Sequence, residues 1–269
     1  MATIVVPQNI LQGKCALITG STQGLGLAAA RRFAAAGCNI VINGLGDQRE
    51  IDSARAAIEK EHGVRTIYCG ADLALVVEIE RMLSTSLETF GGVDILVNNA
   101  VVRHSSRVED FPTGAWDLGI AVNLTAAFHT IRLALPGMRR RNWGRIINVS
   151  SIYGLIGGVN RINYVTCKTA LIGMTRAVAL ETRGHDITCN AVCPGTVETP
   201  VHVQTVEKMM ASESISRAEA ERRFLASKQP GGRFITPEDV AGMMVFLCGP
   251  ESRDITGAAL PIDGGWSIQ

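Results

Sequence analysis

Short apolar runs rich in β-branched residues alternate with longer helical patterns along almost the whole of this 269-residue chain. That alternation restricts the fold more than any other feature. The runs 15–19, 39–43, 65–69, 94–97, 145–149, 187–192 and 258–262 read as strands of the fully buried kind. Helical periodicity fills 25–36, 48–62, 76–90, 113–140, 164–182 and 237–247, and Asp47 with Glu50 makes a capping-box signature ahead of the second. Strands joined by helices pair in parallel, and right-handed crossovers place helices on both faces of the sheet. The expectation is one doubly wound α/β domain over 1–269, built on a parallel sheet of seven strands. One segment, 199–230, breaks the rhythm. It is polar, charge-mixed and rich in helix formers, and it follows a strand end, where such sheets hold ligands. It reads as a helical lid.

Composition removes several classes of partner. Lys and Arg total 26 against 25 Asp and Glu, a net charge of +1, which gives neither nucleic acid nor an anionic membrane a reason to bind. The stretch from Met1 to Gln12 lacks the basic start of a signal peptide, and no apolar run approaches the ~20 residues of a membrane helix. The seven cysteines (15, 38, 69, 167, 189, 193 and 248) are odd in number and show no metal-ligand spacing. Reduced, mostly buried thiols in a cytoplasmic protein without a bound metal are expected.

Gly20-Ser21-Thr22-Gln23-Gly24-Leu25-Gly26 follows the first strand and opens the first helix. Glycines there let the backbone turn sharply and approach a pyrophosphate, which the helix N-terminus holds through its amides. The spacing is GxxxGxG rather than GxGxxG. At the tip of the second strand stand Asn43, Gly44 and Leu45, with neither an acid nor a cation immediately beside them. With no Arg or Lys awaiting a 2′-phosphate, NAD is favoured and NADP stays open, Arg49 being the residue that would reverse the preference.

Tyr164 and Lys168 lie just over one helical turn apart, so a helix through them projects both from one face. A phenol of pKa about 10 is a poor base at neutral pH. Bringing it to about 7 requires roughly 4 kcal/mol in favour of phenolate, close to what one cation at about 4 Å supplies at an effective dielectric near 20. Such a pair suits a tyrosine that exchanges a proton with an alcohol or ketone.

These features together resemble the short-chain dehydrogenase/reductase family. The resemblance runs from Lys14 to Trp266 and includes the glycine turn, Asp72-Leu73, Asn98-Asn99-Ala100, Asn123, Ser151, Tyr164, Lys168, Pro194-Gly195, Thr199 and Asp263-Gly264-Gly265. It implies a Rossmann-type fold and hydride transfer between a nicotinamide and a secondary alcohol or ketone. Tyr164 would be the acid/base, Ser151 would bond the reacting oxygen, and Lys168 would hold the nicotinamide ribose. Asn123 would fix a relay water. Asp72 and Leu73 would face the adenine, Asn99 and Ala100 its ribose side, Val197 the carboxamide, and Thr199 the phosphates. Val101 departs from the family, which carries glycine there.

Within the family, stretches such as Ile42 to Asp47, Val108 to Pro112 and Lys228-Gln229-Pro230 resemble bacterial D-3-hydroxybutyrate dehydrogenases. The pocket implied by that resemblance is altered. Arg103 replaces a glutamine, Tyr153 a histidine, Arg161 a lysine and Thr196 a tryptophan, while a lid glutamine falls near Thr205, beside Gln204. Guanidinium groups grip anions bidentately, so an anionic, hydroxybutyrate-like substrate is expected. A sugar or polyol dehydrogenase, a 3-oxoacyl reductase, and a non-catalytic nucleotide-binding scaffold are the alternatives. The resemblance also implies a homotetramer, and it leaves open a C-terminal metal at Gln269.

Overall fold

The computed structural model describes residues 10–268. The reading of the first nine residues and of Gln269 lies outside them, as do the side chains of Pro200 and Val201. The strands are β1 (Cys15–Ile18), β2 (Asn39–Asn43), β3 (Thr66–Cys69), β4 (Ile95–Asn98), β5 (Trp143–Val149), β6 (Asp186–Pro194) and β7 (Ala259–Ile262). They form one parallel sheet in the order β3-β2-β1-β4-β5-β6-β7. The order reverses between β1 and β4. Their carboxyl ends flank the crevice where ligands of doubly wound sheets lie.

Alternation along the strands supplies a core on each face. Ala16 and Ile18 of β1 point with Ile40 and Ile42 toward α1 (Gly24–Ala35) and α9 (Pro237–Phe246), where Phe33, Val240 and Met244 meet them. Cys15 and Leu17 point the other way, with Val41, Leu96 and Ile146. There they meet α3 (Val76–Phe90) and α5 (Ala126–Arg141) through Ile79, Met82, Ile131 and Met138. The long strands β5 and β6 run past their expected bounds, and their mutual ladder pairs seven residues of each. Asp47 caps α2 (Gln48–His62) by accepting from the amides of Arg49 and Glu50.

The long helix expected over 113–140 is interrupted. α4 (Thr113–Ile120) passes through a π turn at Ala121–Thr125 before α5 begins. By length and mean hydropathy the whole run Thr113–Arg141 is apolar enough to cross a bilayer, which the count of consecutive apolar residues does not reveal. In this fold it lies against the sheet and α3, with Arg132 paired to Glu80 at 3.1 Å.

A buried polar chain ties the helices to the sheet ends. Asn98 donates to Asn148 (2.9 Å) and accepts from Thr130 of α5 (2.7 Å), while Asn148 donates to Thr175 (2.9 Å) of α6 (Ile162–Glu181). Fully paired networks of this kind fix one arrangement. The 199–230 segment forms α7 (Pro200–Glu213) and α8 (Arg217–Leu225), joined by a small core of Val206, Ala220, Leu225 and Phe234.

Candidate active site

The glycine turn sits at the carboxyl end of β1. Gly20 adopts φ 63°, and a Cβ there would stand 2.8 Å from the Ala100 Cα. Gly26 is tighter still, since its Cβ would lie 2.2 Å from the Gly20 carbonyl oxygen. Asn99 locks the turn by donating to the Thr19 and Gly20 carbonyls at 2.9 and 3.0 Å. Gln23, at the start of α1, makes no side-chain cap, so the first-turn amides keep no side-chain partner. Those amides face a cleft of about 840 Å³ that continues past Gly44, Leu45, Asp72 and Leu73 at one end and Tyr164 at the other. Volume, glycine cradle and open helix start all fit an extended dinucleotide.

Tyr164 and Lys168 project from the first turns of α6, and both are buried. The Lys168 ammonium donates to the Val149 carbonyl at 2.7 Å and lies 5.6 Å from the Tyr164 ring centre. Burial pushes the Tyr164 hydroxyl up, but Lys168, Arg103 and Ser151 together reverse it, and the net displacement is downward. Burial, reinforced by Arg103, holds Lys168 below the usual ammonium range although Tyr164 opposes it.

Ser151 rather than Ser150 faces the tyrosine for a visible reason. The Ser150 hydroxyl donates to the Lys168 carbonyl at 2.7 Å, pinning α6 to the end of β5. The Ser151 hydroxyl accepts from the Tyr153 amide at 3.2 Å and lines the cleft. Asn123 occupies the π turn, buried, and pairs twice with the Val102 main chain at 2.8 and 2.9 Å. Its side chain is therefore committed to the loop carrying Arg103, while the Ala126 amide reaches the Ala121 carbonyl across the widened turn. A π turn has no periodicity signature of its own, which is why the sequence reads there as plain helix.

At the far wall, β6 ends at Pro194 and Gly195 follows it. The amides of Thr196 and Glu198 are taken by Gln229 (2.9 Å) and the Ile235 carbonyl (2.8 Å), with Val197 between them. Thr22, Gln23, Leu25, Asn99, Ala100, Pro194, Gly195, Thr196, Val197 and Thr199 all line the cleft. Val101 lines it with an exposed side chain, and its backbone is not left-handed, so the position makes no conformational demand for glycine.

The substrate end departs from the sequence reading in two respects. Gln204 is exposed on α7 and does not line the cleft, whereas His202, two residues earlier and so on a different side of the helix, does. Two lining residues that the sequence reading did not assign are Lys228 and Trp266. The His202 imidazole donates through Nδ1 to the Val197 carbonyl at 2.7 Å and packs on Phe224 and Phe234. Tyr153 stands between Tyr164 and Trp266, at 6.2 and 5.6 Å between ring centres. Arg103 and Arg161 both face the cleft. Neither pairs with Glu109 or Glu198, which are bound to Arg107 and Arg217 instead.

A sequence model described as enoyl-(acyl carrier protein) reductase matches residues 20–267. D-beta-hydroxybutyrate dehydrogenase of Cupriavidus necator is 46% identical over 261 residues, 97% of this chain and 100% of that protein. The enzyme of the same name from Rhizobium meliloti is 41% identical, covering 95% and 99%. The chain belongs to the short-chain dehydrogenase/reductase family. Its solved relatives include L-sorbose reductase from Gluconobacter frateurii, complexed with NADPH and L-sorbose. That enzyme is 29% identical, with a TM-score of 0.91 over 97% of this chain and 99% of that one. The protein is thus an NAD(P)-dependent oxidoreductase acting between CH–OH and C=O on a small molecule.

Proposed function

We propose that this enzyme oxidises the secondary alcohol of an anionic hydroxy acid, or reduces the matching oxo acid, with NAD. The observation that carries the reading is the gathering of Lys168 and Arg103 within 5.6 and 5.2 Å of the Tyr164 ring centre, with Ser151 on the wall of the same cleft that begins at the glycine turn. A bound nicotinamide supplies or accepts the hydride. Tyr164 Oη takes the alcohol proton during oxidation and returns one during reduction, while Ser151 steadies the reacting oxygen. Lys168 holds the phenolate form accessible, and Asn123 positions the Val102–Arg103 loop. Arg103 and Arg161 bind the substrate's anionic group. They weigh against a neutral polyol, and the names of the two hydroxybutyrate-dehydrogenase relatives agree with the choice.

NAD is favoured because no Lys or Arg lines the Gly44–Leu45 end of the cleft among the described residues. The kcat/KM with NAD is expected to exceed that with NADP at least tenfold; the opposite preference refutes the assignment. The α7–α8 insertion is read as the lid over the substrate end, since His202, Phe224 and Lys228 face inward from it. Phe128 and Leu180, apolar and exposed on α5 and α6, support assembly as a homotetramer, and a cytoplasmic location is part of the same proposal.

Screening hydroxy acids, polyols and 3-oxoacyl thioesters with both nicotinamides tests the substrate class, and turnover confined to polyols or thioesters overturns it. Arg103→Met carries a further expectation with a definite sign. Removing a cation that favours phenolate raises the Tyr164 pKa, so the alkaline-rising limb of kcat/KM for oxidation moves to higher pH. Arg161 does not act on that phenol, so Arg161→Met should leave the limb in place. Both changes should raise KM for a charged substrate at least tenfold, through loss of a charge-assisted pair worth about 1.5–3 kcal/mol.

A further inference from the structure

The substrate end of the cleft holds more positive charge than one carboxylate answers. Arg103 stands 5.2 Å from the Tyr164 ring centre, Arg161 5.1 Å from that of Tyr153, and Lys228 4.0 Å from that of Phe224. Each cation rests on an aromatic wall, and among the described residues none of the three forms an ion pair. Three acidic side chains of the flanking segments are engaged elsewhere. Glu109 holds Arg107, Glu198 holds Arg217, and Asp263 accepts from the amides of Gly265 and Ser267. Among the described residues, the one carboxylate on the cleft wall, Asp72, is at the adenine end. A chain of net charge +1 has no general excess of cations, so this concentration is local.

The three cations share a field. Burial and then the three together hold His202 below its ordinary range, and burial with Arg161 does the same to Lys228. The loops carrying the two arginines are tied to each other, since Ser106 N and Ser105 Oγ both donate to the Asn160 carbonyl, at 3.2 and 3.1 Å. Like charges held together without counter-charges are unfavourable until an anion binds. One carboxylate saturates one guanidinium fork and leaves the remaining cations unanswered. The cofactor's phosphates do not supply the missing charge, because the glycine turn and the Gly44–Leu45 end lie along the other part of the cleft.

We infer that the substrate carries two anionic groups, one met by Arg103 beside Tyr164 and the other by Arg161 and Lys228 beneath the α7–α8 insertion. This rests on the hydroxy-acid reading above and narrows it to hydroxy dicarboxylates or hydroxy acids bearing a phosphate or phosphonate. Calorimetric titration of the full-length protein, saturated with NADH at fixed ionic strength, tests it directly. The probes are acetate and butyrate as monoanions, with malonate, succinate, glutarate and 3-phosphonopropionate as carriers of two anionic groups. At least one of the latter is expected to bind tenfold or more tighter than butyrate. The best of them, dicarboxylate or phosphonate, identifies the second group. Lys228→Met and Arg161→Met should each collapse that ratio toward one, with Arg161→Lys retaining part of it and melting temperatures confirming folded protein. Monocarboxylates binding as tightly as all the probes with two anionic groups overturns the inference while leaving the hydroxy-acid reading intact. Failure of every anion to bind overturns both.

Discussion

Tyr164→Phe is expected to lower kcat for alcohol oxidation about a thousandfold, within the range by which a positioned acid/base accelerates proton transfer. The change deletes one oxygen from a buried ring that touches Tyr153 and stays close to Lys168, so the packing of α6 survives. NADH affinity should therefore remain within about threefold of the wild type, because a loss of transition-state stabilisation alone leaves ground-state binding in place. Single-turnover kinetics and a fluorescence titration of NADH separate the two quantities. Turnover near the wild-type rate contradicts the proton-transfer role. Loss of NADH binding would instead assign Tyr164 to cofactor retention.

Gly26→Ala has the opposite signature: cofactor binding should fall at least a hundredfold, and the fold itself should weaken. A methyl there meets the Gly20 carbonyl oxygen at 2.2 Å, its carbon at 2.8 Å and the Asn99 amide nitrogen at 2.6 Å. Two of those atoms are backbone, and the third is held by bonds to Thr19 and Gly20, so none withdraws cheaply. Overpacking of a close-packed site costs about 1–3 kcal/mol, a fall of several degrees in Tm for a domain of this size. The same displacement opens the turn through which the proposed dinucleotide site would hold a pyrophosphate. Thermal melting and NADH titration measure both effects. A variant that melts and binds like the wild type contradicts the account of the turn.

Much of this architecture is legible from residue pattern, because parallel strands buried on both faces appear as unbroken apolar runs. The starts of α2 and α3, and all of β2, coincide with the sequence reading, while β5 and β6 prove longer, since their shared ladder runs from Trp143 opposite Asp186 to Val149 opposite Val192. The glycine turn and the Tyr164/Lys168 pair are local in sequence, so spacing alone brings them to notice. What escapes is non-local. Arg103 meets Tyr164 through a loop held by the Asn123–Val102 pairing and by the Asn160 carbonyl, and no periodicity encodes that. Lys228 belongs to a stretch already singled out by resemblance, yet its place on the cleft wall depends on how the α7–α8 insertion closes. Gln204 marks the converse. A helix presents only one side to the cleft, and His202 and Gln204 fall on different sides of α7.

The ionisation of Tyr164 is the claim on which the rest depends, and the chain is well suited to measuring it. It contains three tyrosines, and burial raises the Tyr68 hydroxyl above its ordinary range. Phenolate absorbance followed against pH in the wild type and in Tyr164→Phe isolates one residue by subtraction. The expected difference is a single phenol titrating below the ordinary value of about 10, moving upward when Arg103 is replaced by Met. A difference curve with its midpoint at or above that value contradicts the account.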